Sequence, residues 1–198
     1  MNALHDLDYE PDDLRVKISE LLVATADESD SAIDGSVLEV LRLLRDRMKM
    51  DVVFVSEFTS DQLRIQQVAT TPASNVIAQG DCYPLEETWC QRVVDGRLPQ
   101  YIANAAADPV AAPLAAQLPF PIGTFISTPV VLKGGEVYGT LCAFSFHPQE
   151  QSNAADLKKL QFTAQLTAQK IEKHRQQGHV LPPEPVLGLM PRERARMR

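Results

Sequence analysis

Two β-rich runs, at residues 125–132 and 137–146, limit the possible fold more than any other feature of the chain. Both runs consist mainly of β-branched, aromatic and small apolar residues, and the tetrapeptide KGGE at residues 133–136 separates them. Two consecutive glycines between such runs are typical of a tight hairpin turn, which requires positive φ angles. The pattern therefore predicts two neighbouring antiparallel strands and argues against a purely parallel sheet.

The remaining elements form a second hairpin and several helices. Residues 52–58 and 63–69 alternate on either side of the turn TSDQ, which predicts two paired strands. Helical spacing of apolar residues predicts a helix that begins near Pro11, a helix with Ser36 as its N-cap, and a long helix at 156–175. Shorter elements are predicted as a helix at 84–96, a strand at 98–102 and a helix at 110–117. Because hairpins dominate the order, we predict an α+β domain with a central antiparallel sheet of five to six strands.

The charge and the cysteine content bound the possible partners. The formal net charge is −7, which disfavours binding to nucleic acid or to an anionic membrane. No apolar run is long enough to span a bilayer, and the first residues lack the basic and apolar regions of a secretory signal. With three cysteines and no such signal, we expect a cytoplasmic protein with reduced thiols.

The chain divides into three parts by composition. Residues 1–35 are predicted to be an acidic extension that carries the first helix. Residues 36–176 hold the hairpins and the long helix, and are predicted to form the main domain. Residues 177–198 are rich in proline and end in basic residues, so they are predicted to be a tail.

Two sequence runs resemble the motifs of a known family. The run PLEETWCQRVVDGRLPQYIANA at 84–105 resembles the PLxxTYCxRVVDGR…I.DA signature of a bacterial GAF subfamily. The run VYGTLCAFS at 137–145 resembles the G-T-L-C strand of that subfamily, and STPV at 127–130 resembles the S-x-P-V strand before it. Over roughly residues 36–176 the chain is therefore similar to stand-alone bacterial GAF sensors and to GAF domains that occur ahead of cyclic-di-GMP phosphodiesterases.

The resemblance implies a GAF/PAS-like fold with a ligand pocket. The N- and C-terminal helices should cover one face of the sheet, and the pocket should lie on the other face, under residues 82–108, which we call the roof segment. The resemblance places these residues in the pocket: Glu57, Thr88, Trp89, Cys90, Arg92, Tyr101, Phe125, Ser127, Cys142 and Phe144. Strand alternation puts Phe125 with Ser127, and Cys142 with Phe144, on shared strand faces, without deciding which face meets the pocket.

Two residues of the roof segment allow two interpretations each. Trp89 either closes the pocket over a flat ligand or packs on the sheet, and packing is favoured. Arg92 either binds an anionic ligand through its planar donors or forms a surface ion pair with Glu86 or Asp95.

Three functions are compatible with these residues. The preferred function is a sensory or regulatory domain that binds a small molecule and is not catalytic. The first alternative is a thiol enzyme similar to free methionine sulfoxide reductase, with Cys90 as nucleophile and Cys82, predicted on a loop eight residues earlier, as its resolving thiol. Against it, residues 103–123 lack the cysteine that this enzyme family carries there. The second alternative is a structural dimerisation module with a filled pocket.

The sequence predicts partners but no cofactor. Cys90 is followed by Gln91 and Cys82 by Tyr83, so the Cys-His pair of bilin-binding GAF domains is missing. No haem signature and no metal-ligand spacing is present either. The expected partners are a small-molecule ligand, a second copy of the chain bound through the terminal helices, and a signalling protein.

Overall fold

A six-stranded sheet and five α-helices make up the part of the domain that the structure describes. A computed structural model describes residues 11–24 and 35–177 of the chain. The helices of these residues are α1 Pro11–Ala24, α2 Gly35–Met48, α3 Trp89–Val94, α4 Ala111–Ala115 and α5 Ala154–Gln177. The strands are β1 Val52–Phe58, β2 Gln62–Thr70, β3 Cys82–Pro84, β4 Tyr101–Ile102, β5 Phe125–Val131 and β6 Val137–Phe144. The predicted α+β class is confirmed.

All six strands belong to one antiparallel sheet in the order β3-β2-β1-β6-β5-β4. The predicted hairpins are β1–β2 and β5–β6, and β1 pairs with β6, so the two hairpins lie side by side. Gly134 and Gly135 both have a φ of 87°, as the predicted turn requires. The two edges of the sheet are the short strands β3 and β4, which offer few free backbone groups for pairing with other chains.

Gly139 allows β1 and β6 to approach each other closely. A Cβ atom at this position would lie 2.0 Å from the carbonyl oxygen of Ser56, far closer than two heavy atoms can come in van der Waals contact. At the same place the register of β1 against β2 shifts between Val55 and Ser56, which leaves Gln66 without a residue opposite it. Such a bulge increases the local twist of a strand pair.

The sheet separates two apolar cores. Helices α1, α2 and α5 cover one face, where Leu41 and Leu160 are buried together with strand residues such as Val55. Helix α3 lies on the other face, over Phe54 and Phe125. Burying one such side chain contributes about 1.5–3 kcal/mol, so both faces stabilise the domain. The predicted placement of the terminal helices on one face is confirmed.

Three local predictions differ from the structure. Ser36, predicted to cap α2, is the second residue of the helix, and its buried hydroxyl accepts a hydrogen bond from Lys170 Nζ at 2.8 Å. Cys82, predicted in a loop, begins the edge strand β3 because its backbone pairs with Arg64 of β2. The predicted strand 98–102 is reduced to Tyr101–Ile102.

The division of the chain into an extension, a domain and a tail stays a prediction. Residues 1–10, 25–34 and 178–198 lie outside the described residues, and they include most of the acidic extension and of the basic tail. Among the helices that are described, none is both long enough and apolar enough to cross a membrane.

Candidate functional site

A cavity of about 300 Å³ lies on the sheet face that α3 covers. Its sheet side is formed by Phe54, Leu63, Ile65, Phe125 and Phe144. The roof segment contributes Thr88, Trp89 and Cys90, and residues from 76–77 and 118–122 complete most of the lining. This volume is at the lower end of the range of small-molecule sites in proteins, so the cavity can hold a small organic molecule.

Phe144 is the centre of an aromatic cluster under the cavity. Its ring lies 5.6 Å from that of Phe120 in a stacked arrangement, 6.5 Å from Phe54 edge to face, and 6.2 Å from Phe146 at a tilted angle, all between ring centroids. Aromatic pairs at these separations attract each other beyond the area that they bury. The cluster therefore gives one side of the cavity a rigid, flat aromatic surface.

Local backbone signals fix the position of α3 over the cavity. Thr88 caps the helix, because its hydroxyl accepts a hydrogen bond from the Gln91 amide at 3.2 Å and donates one to the Leu85 carbonyl at 2.8 Å. The helix ends at Val94, Asp95 is its C-cap, and Gly96 follows with a φ of 80°, which suits the position after the C-cap. Both backbone signals can be recognised in the sequence, and together they hold Trp89 and Cys90 toward the sheet.

Trp89 packs against the sheet and lines the cavity at the same time. Its ring meets Phe125 edge to face at a centroid distance of 5.1 Å, and only 7% of the residue is exposed. The favoured packing interpretation therefore describes this side chain, and the ring also forms part of the surface that a ligand would touch.

A buried cluster of thiols and hydroxyls lies between α3 and the sheet. The Sγ atoms of Cys90 and Cys142 are 3.4 Å apart, and Cys142 Sγ lies 3.0 Å from Ser127 Oγ and 3.2 Å from Thr140 Oγ1. The Thr140 hydroxyl is in turn 2.9 Å from the Ser56 hydroxyl on β1. Of these residues Cys90 lines the cavity, so the cluster extends from the cavity wall into the sheet.

The two thiols of this cluster have different electrostatic surroundings. The hydrogen bond with Cys142 and the loss of solvent raise the pKa of Cys90 well above that of a free thiol. Burial also disfavours the thiolate at Cys142, but hydrogen bonds with Cys90, Ser127 and Thr140 outweigh it and lower the pKa of Cys142. A negative charge in the pair is therefore better accommodated on Cys142, and Cys90 is a neutral thiol.

Three of the residues expected in the pocket lie elsewhere. Glu57 follows Val55 by two positions on β1 and faces the helix-covered side, where it accepts a hydrogen bond from Gln66. Burial and the nearby Glu57 carboxylate raise the pKa of Tyr138 on the same side.

Tyr101 also packs against the helix-side core, and its hydroxyl donates to the Ser152 carbonyl at 2.9 Å. Arg92 does not line the cavity either.

The ion pair considered for Arg92 is made by Arg97 instead. The Arg97 guanidinium contacts the carboxylates of Asp95 and Glu86. Its hydrogen bond to Asp95 lowers the pKa of that carboxyl below the ordinary value. Arg92 is half-buried, and its Nε atom has no hydrogen-bond partner in the structure.

The ten residues expected in the pocket are thus distributed in three ways. Thr88, Trp89, Cys90, Phe125 and Phe144 line the cavity. Ser127 and Cys142 are buried just behind Cys90, and Glu57, Arg92 and Tyr101 are not brought to it.

Sequence reasoning missed the aliphatic part of the lining. Leu63 and Ile65 alternate with polar residues along β2, which is a signal for one buried strand face. The apolar residues of 118–122 alternate with prolines just beyond the predicted helix at 110–117. Nothing local in that segment indicates that it folds back over the sheet.

The lining favours uncharged, apolar ligands. Aromatic and aliphatic side chains dominate, and no Arg, Lys or His occurs among the described residues that surround the cavity. Glu87 is the charged residue of the lining, and it is exposed. A phosphate or carboxylate would find no cationic partner in this cavity. Within residues 11–24 and 35–177, no three His, Cys, Asp or Glu side chains are grouped to hold a metal ion.

Residues 31–172 of the chain match the GAF domain family. This match covers well over half of the sequence. It includes every strand of the described sheet, and both the sheet side and the roof segment of the cavity. The chain therefore belongs to the GAF domain family.

One curated protein is similar to this chain in sequence. The chain is 26% identical over 161 residues to the diguanylate cyclase DgcP of Escherichia coli K12, a match that covers 79% of this chain and 46% of that protein. The chain thus spans about half the length of this curated relative.

Two solved structures have folds similar to that of this chain. The GAF domain of a phosphoenolpyruvate-protein phosphotransferase from Acinetobacter matches with a TM-score of 0.63 and 19% identity, over 84% of this chain and 98% of that one. Free methionine-R-sulfoxide reductase from Neisseria meningitidis, solved in complex with its substrate, matches with a TM-score of 0.64 and 17% identity, over 89% and 99%. At these identities the likeness concerns the fold alone.

Proposed function

We propose that this protein is a non-catalytic sensory domain that binds a small, uncharged and largely apolar molecule in the cavity under α3. The observation that carries the proposal is the cavity itself, which is open, of suitable size and lined by aromatic and aliphatic side chains. Removing the apolar surface of a ligand from water drives binding to such a site. A structural module with a filled pocket, the third function considered, would have no such space.

The fold offers a route from the ligand to the terminal helices. Along β5, Phe125 lines the cavity, and the next residue, Ile126, is buried in the core under the helices. A ligand that favours one position of β5 would therefore also favour one packing of α5, which lies on that strand. We propose that binding acts through such a difference in contacts between two states.

The proposal is tested with N-phenyl-1-naphthylamine, a neutral aromatic probe whose fluorescence rises in apolar sites. We expect saturable binding of one probe per chain. Val76→Trp places a large ring at the cavity lining and should weaken binding at least about tenfold, the effect of losing about 1.4 kcal/mol. Native mass spectrometry of the freshly purified protein would show whether a cellular molecule is retained.

Val110→Trp is the matched control, because Val110 does not line the cavity and is 52% exposed. This variant should bind the probe like the wild type. Circular dichroism would confirm that both variants are folded. Equal binding by the two variants, or a signal that does not saturate, would contradict the proposal.

A thiol-dependent enzyme remains the second candidate because Cys90 lines the cavity. The partner first considered, Cys82, is exposed on β3, whereas the thiol in contact with Cys90 is Cys142. Incubation with free methionine sulfoxide and dithiothreitol separates the candidates. Turnover that Cys90→Ser abolishes would support an enzyme similar to the methionine sulfoxide reductases.

We further propose that the protein acts as a cytoplasmic homodimer that passes its signal to another protein. All three cysteines are free thiols, which suits a reducing compartment. The predicted apolar stripes of α1 and α5 are largely buried within the domain. A dimer would therefore use their outer faces, where Val16 is 54% exposed.

A further inference from the structure

Cys90 and Cys142 bring two reduced sulfur atoms into contact from two different elements. Cys90 is the second residue of α3 in the roof segment, Cys142 lies within β6 in the centre of the sheet, and their Sγ atoms are 3.4 Å apart. Both side chains are buried, while Cys82 is exposed. Among the described residues the chain therefore holds a thiol pair at the cavity and a third thiol at the surface.

The cavity determines which reagents can reach the pair. Cys90 is part of the lining, and the residues around it are aromatic or aliphatic. An uncharged apolar molecule can enter and lie against this sulfur. A charged reagent would lose its hydration there without gaining an ionic partner.

The surroundings of the pair support a reaction that starts at Cys90 and ends at Cys142. Cys90 faces the cavity, so its sulfur meets an entering molecule first. Cys142 lies behind it, held by the hydroxyls of Ser127 and Thr140 at 3.0 and 3.2 Å. The Ser127 hydroxyl can donate a hydrogen bond to the Cys142 sulfur, and such a bond favours a nucleophilic sulfur there, which is the property that a resolving thiol needs.

We infer that the Cys90–Cys142 pair is an oxidation site for a small apolar hydroperoxide that binds in the cavity. As the Cys90 sulfur attacks the terminal peroxide oxygen, its proton passes to the Cys142 sulfur in contact with it, the O–O bond breaks, and the alcohol leaves with a proton from the pair. Cys142 then attacks the sulfenic acid at Cys90, the S–S bond forms, the S–O bond breaks, and water leaves. One hydroperoxide and two thiols thus give one alcohol, one water and one disulfide.

The disulfide would join α3 to the centre of the sheet. Closing the sulfur separation from 3.4 Å to the ~2.05 Å of a disulfide requires an approach of about 1.4 Å, which rotation of the side chains and a small shift of α3 can supply. Because α3 also carries Trp89, the crosslink fixes the side of the cavity that a ligand touches. A small uncharged dithiol restores the two thiols by exchange.

The inference rests on the proposed cavity, and the experiment separates the two. The full chain, with Cys82→Ser to remove the surface thiol, is exposed to cumene hydroperoxide or hydrogen peroxide. We expect a loss of two hydrogen atoms in the intact mass and a peptide that joins Cys90 to Cys142. Each oxidation rate is divided by the rate of the same oxidant with glutathione. On this scale cumene hydroperoxide should react with the protein at least about tenfold faster than hydrogen peroxide, because its phenyl group gains from burial in the cavity.

Variants of the second thiol identify the order of the steps. Cys142→Ser and Cys142→Ala should stop at a sulfenic acid on Cys90, which dimedone traps. Two free thiols persisting in the Cys82→Ser protein after oxidation, or dimedone labelling of neither variant, would overturn the inference even if the naphthylamine probe binds. A disulfide that forms with the expected preference for cumene hydroperoxide, although the naphthylamine probe does not bind, would support the inference and contradict the proposed function; a disulfide without that preference would overturn the inference.

Discussion

Replacing Trp89 by alanine tests whether α3 is held on the sheet by its own packing. Trp89 is 7% exposed and meets Phe125 edge to face. A buried tryptophan removes about 150–250 Å² from water, which at about 25 cal/mol per Å² corresponds to roughly 4–6 kcal/mol. One side of this ring borders the cavity and makes fewer contacts, so we expect Trp89→Ala to cost about 3–5 kcal/mol, the usual range for such substitutions.

Urea unfolding followed by far-ultraviolet circular dichroism measures this loss, since the substitution removes the sole tryptophan. A loss of this size should also lower the melting temperature by roughly 6–20 °C for a domain of this length. Trp89→Phe keeps a ring at the position and should cost less. Val110→Ala, at an exposed site, should stay within about 0.5 kcal/mol of the wild type.

The reasoning would be refuted if Trp89→Ala lost less than about 1 kcal/mol, which is below every expected contribution of a buried aromatic ring. Trp89 would then be a mobile side chain that awaits a ligand, and α3 would be held by other contacts. In that case the probe should stabilise the wild type strongly and the alanine variant little.

Three further predictions concern the sheet, the roof segment and the assembly. Gly139→Ala should lower the free energy of unfolding in urea by about 3 kcal/mol or more, because the new Cβ meets the Ser56 backbone and no side-chain rotation relieves the clash. Gly35→Ala is the control, since a Cβ there has open space around it, and it should be close to neutral. Equal losses of stability in the two variants would contradict the explanation. The hydrogen bond from Arg97 lowers the pKa of Asp95 in the folded protein. The ionised Asp95 therefore stabilises the fold above the pKa that it has in the unfolded chain, and this stabilisation is lost as the pH falls through its pKa in the folded protein. The difference in urea midpoint between wild type and Asp95→Asn should therefore vanish in acid, and a difference that persists there would need another origin. Sedimentation at tens of micromolar should show a dimer that Val16→Glu weakens, and a wild-type monomer would rule the dimer out.

The sequence carried most of the fold because its signals are local. The Gly-Gly turn defines the β5–β6 hairpin, and Thr88 and Gly96 define the ends of α3. Alternation also placed Phe125 with Ser127, and Cys142 with Phe144, on common strand faces, and the structure has all four on the cavity side.

The site was predicted less completely because its lining depends on distant segments. Glu57 was placed in the pocket by family resemblance, although its spacing from Val53 and Val55 puts it on the helix side. Tyr101 lies opposite Ile126, a helix-side residue, and therefore faces away from the cavity. Phe120 reaches Phe144 only after the chain folds back over the sheet, and no local pattern reports that path. The contact of Cys90 with Cys142 is equally non-local.

The pairing of β1 with β6 has a consequence for how the chain reaches its native state. The β1–β2 and β5–β6 hairpins each join neighbouring segments, but Val52 of β1 pairs with Phe144 of β6. Contacts between such distant residues form slowly because a long loop must close first. During synthesis the middle of the sheet therefore stays open until β6 has left the ribosome, and the edge of β1 remains available for wrong partners until then.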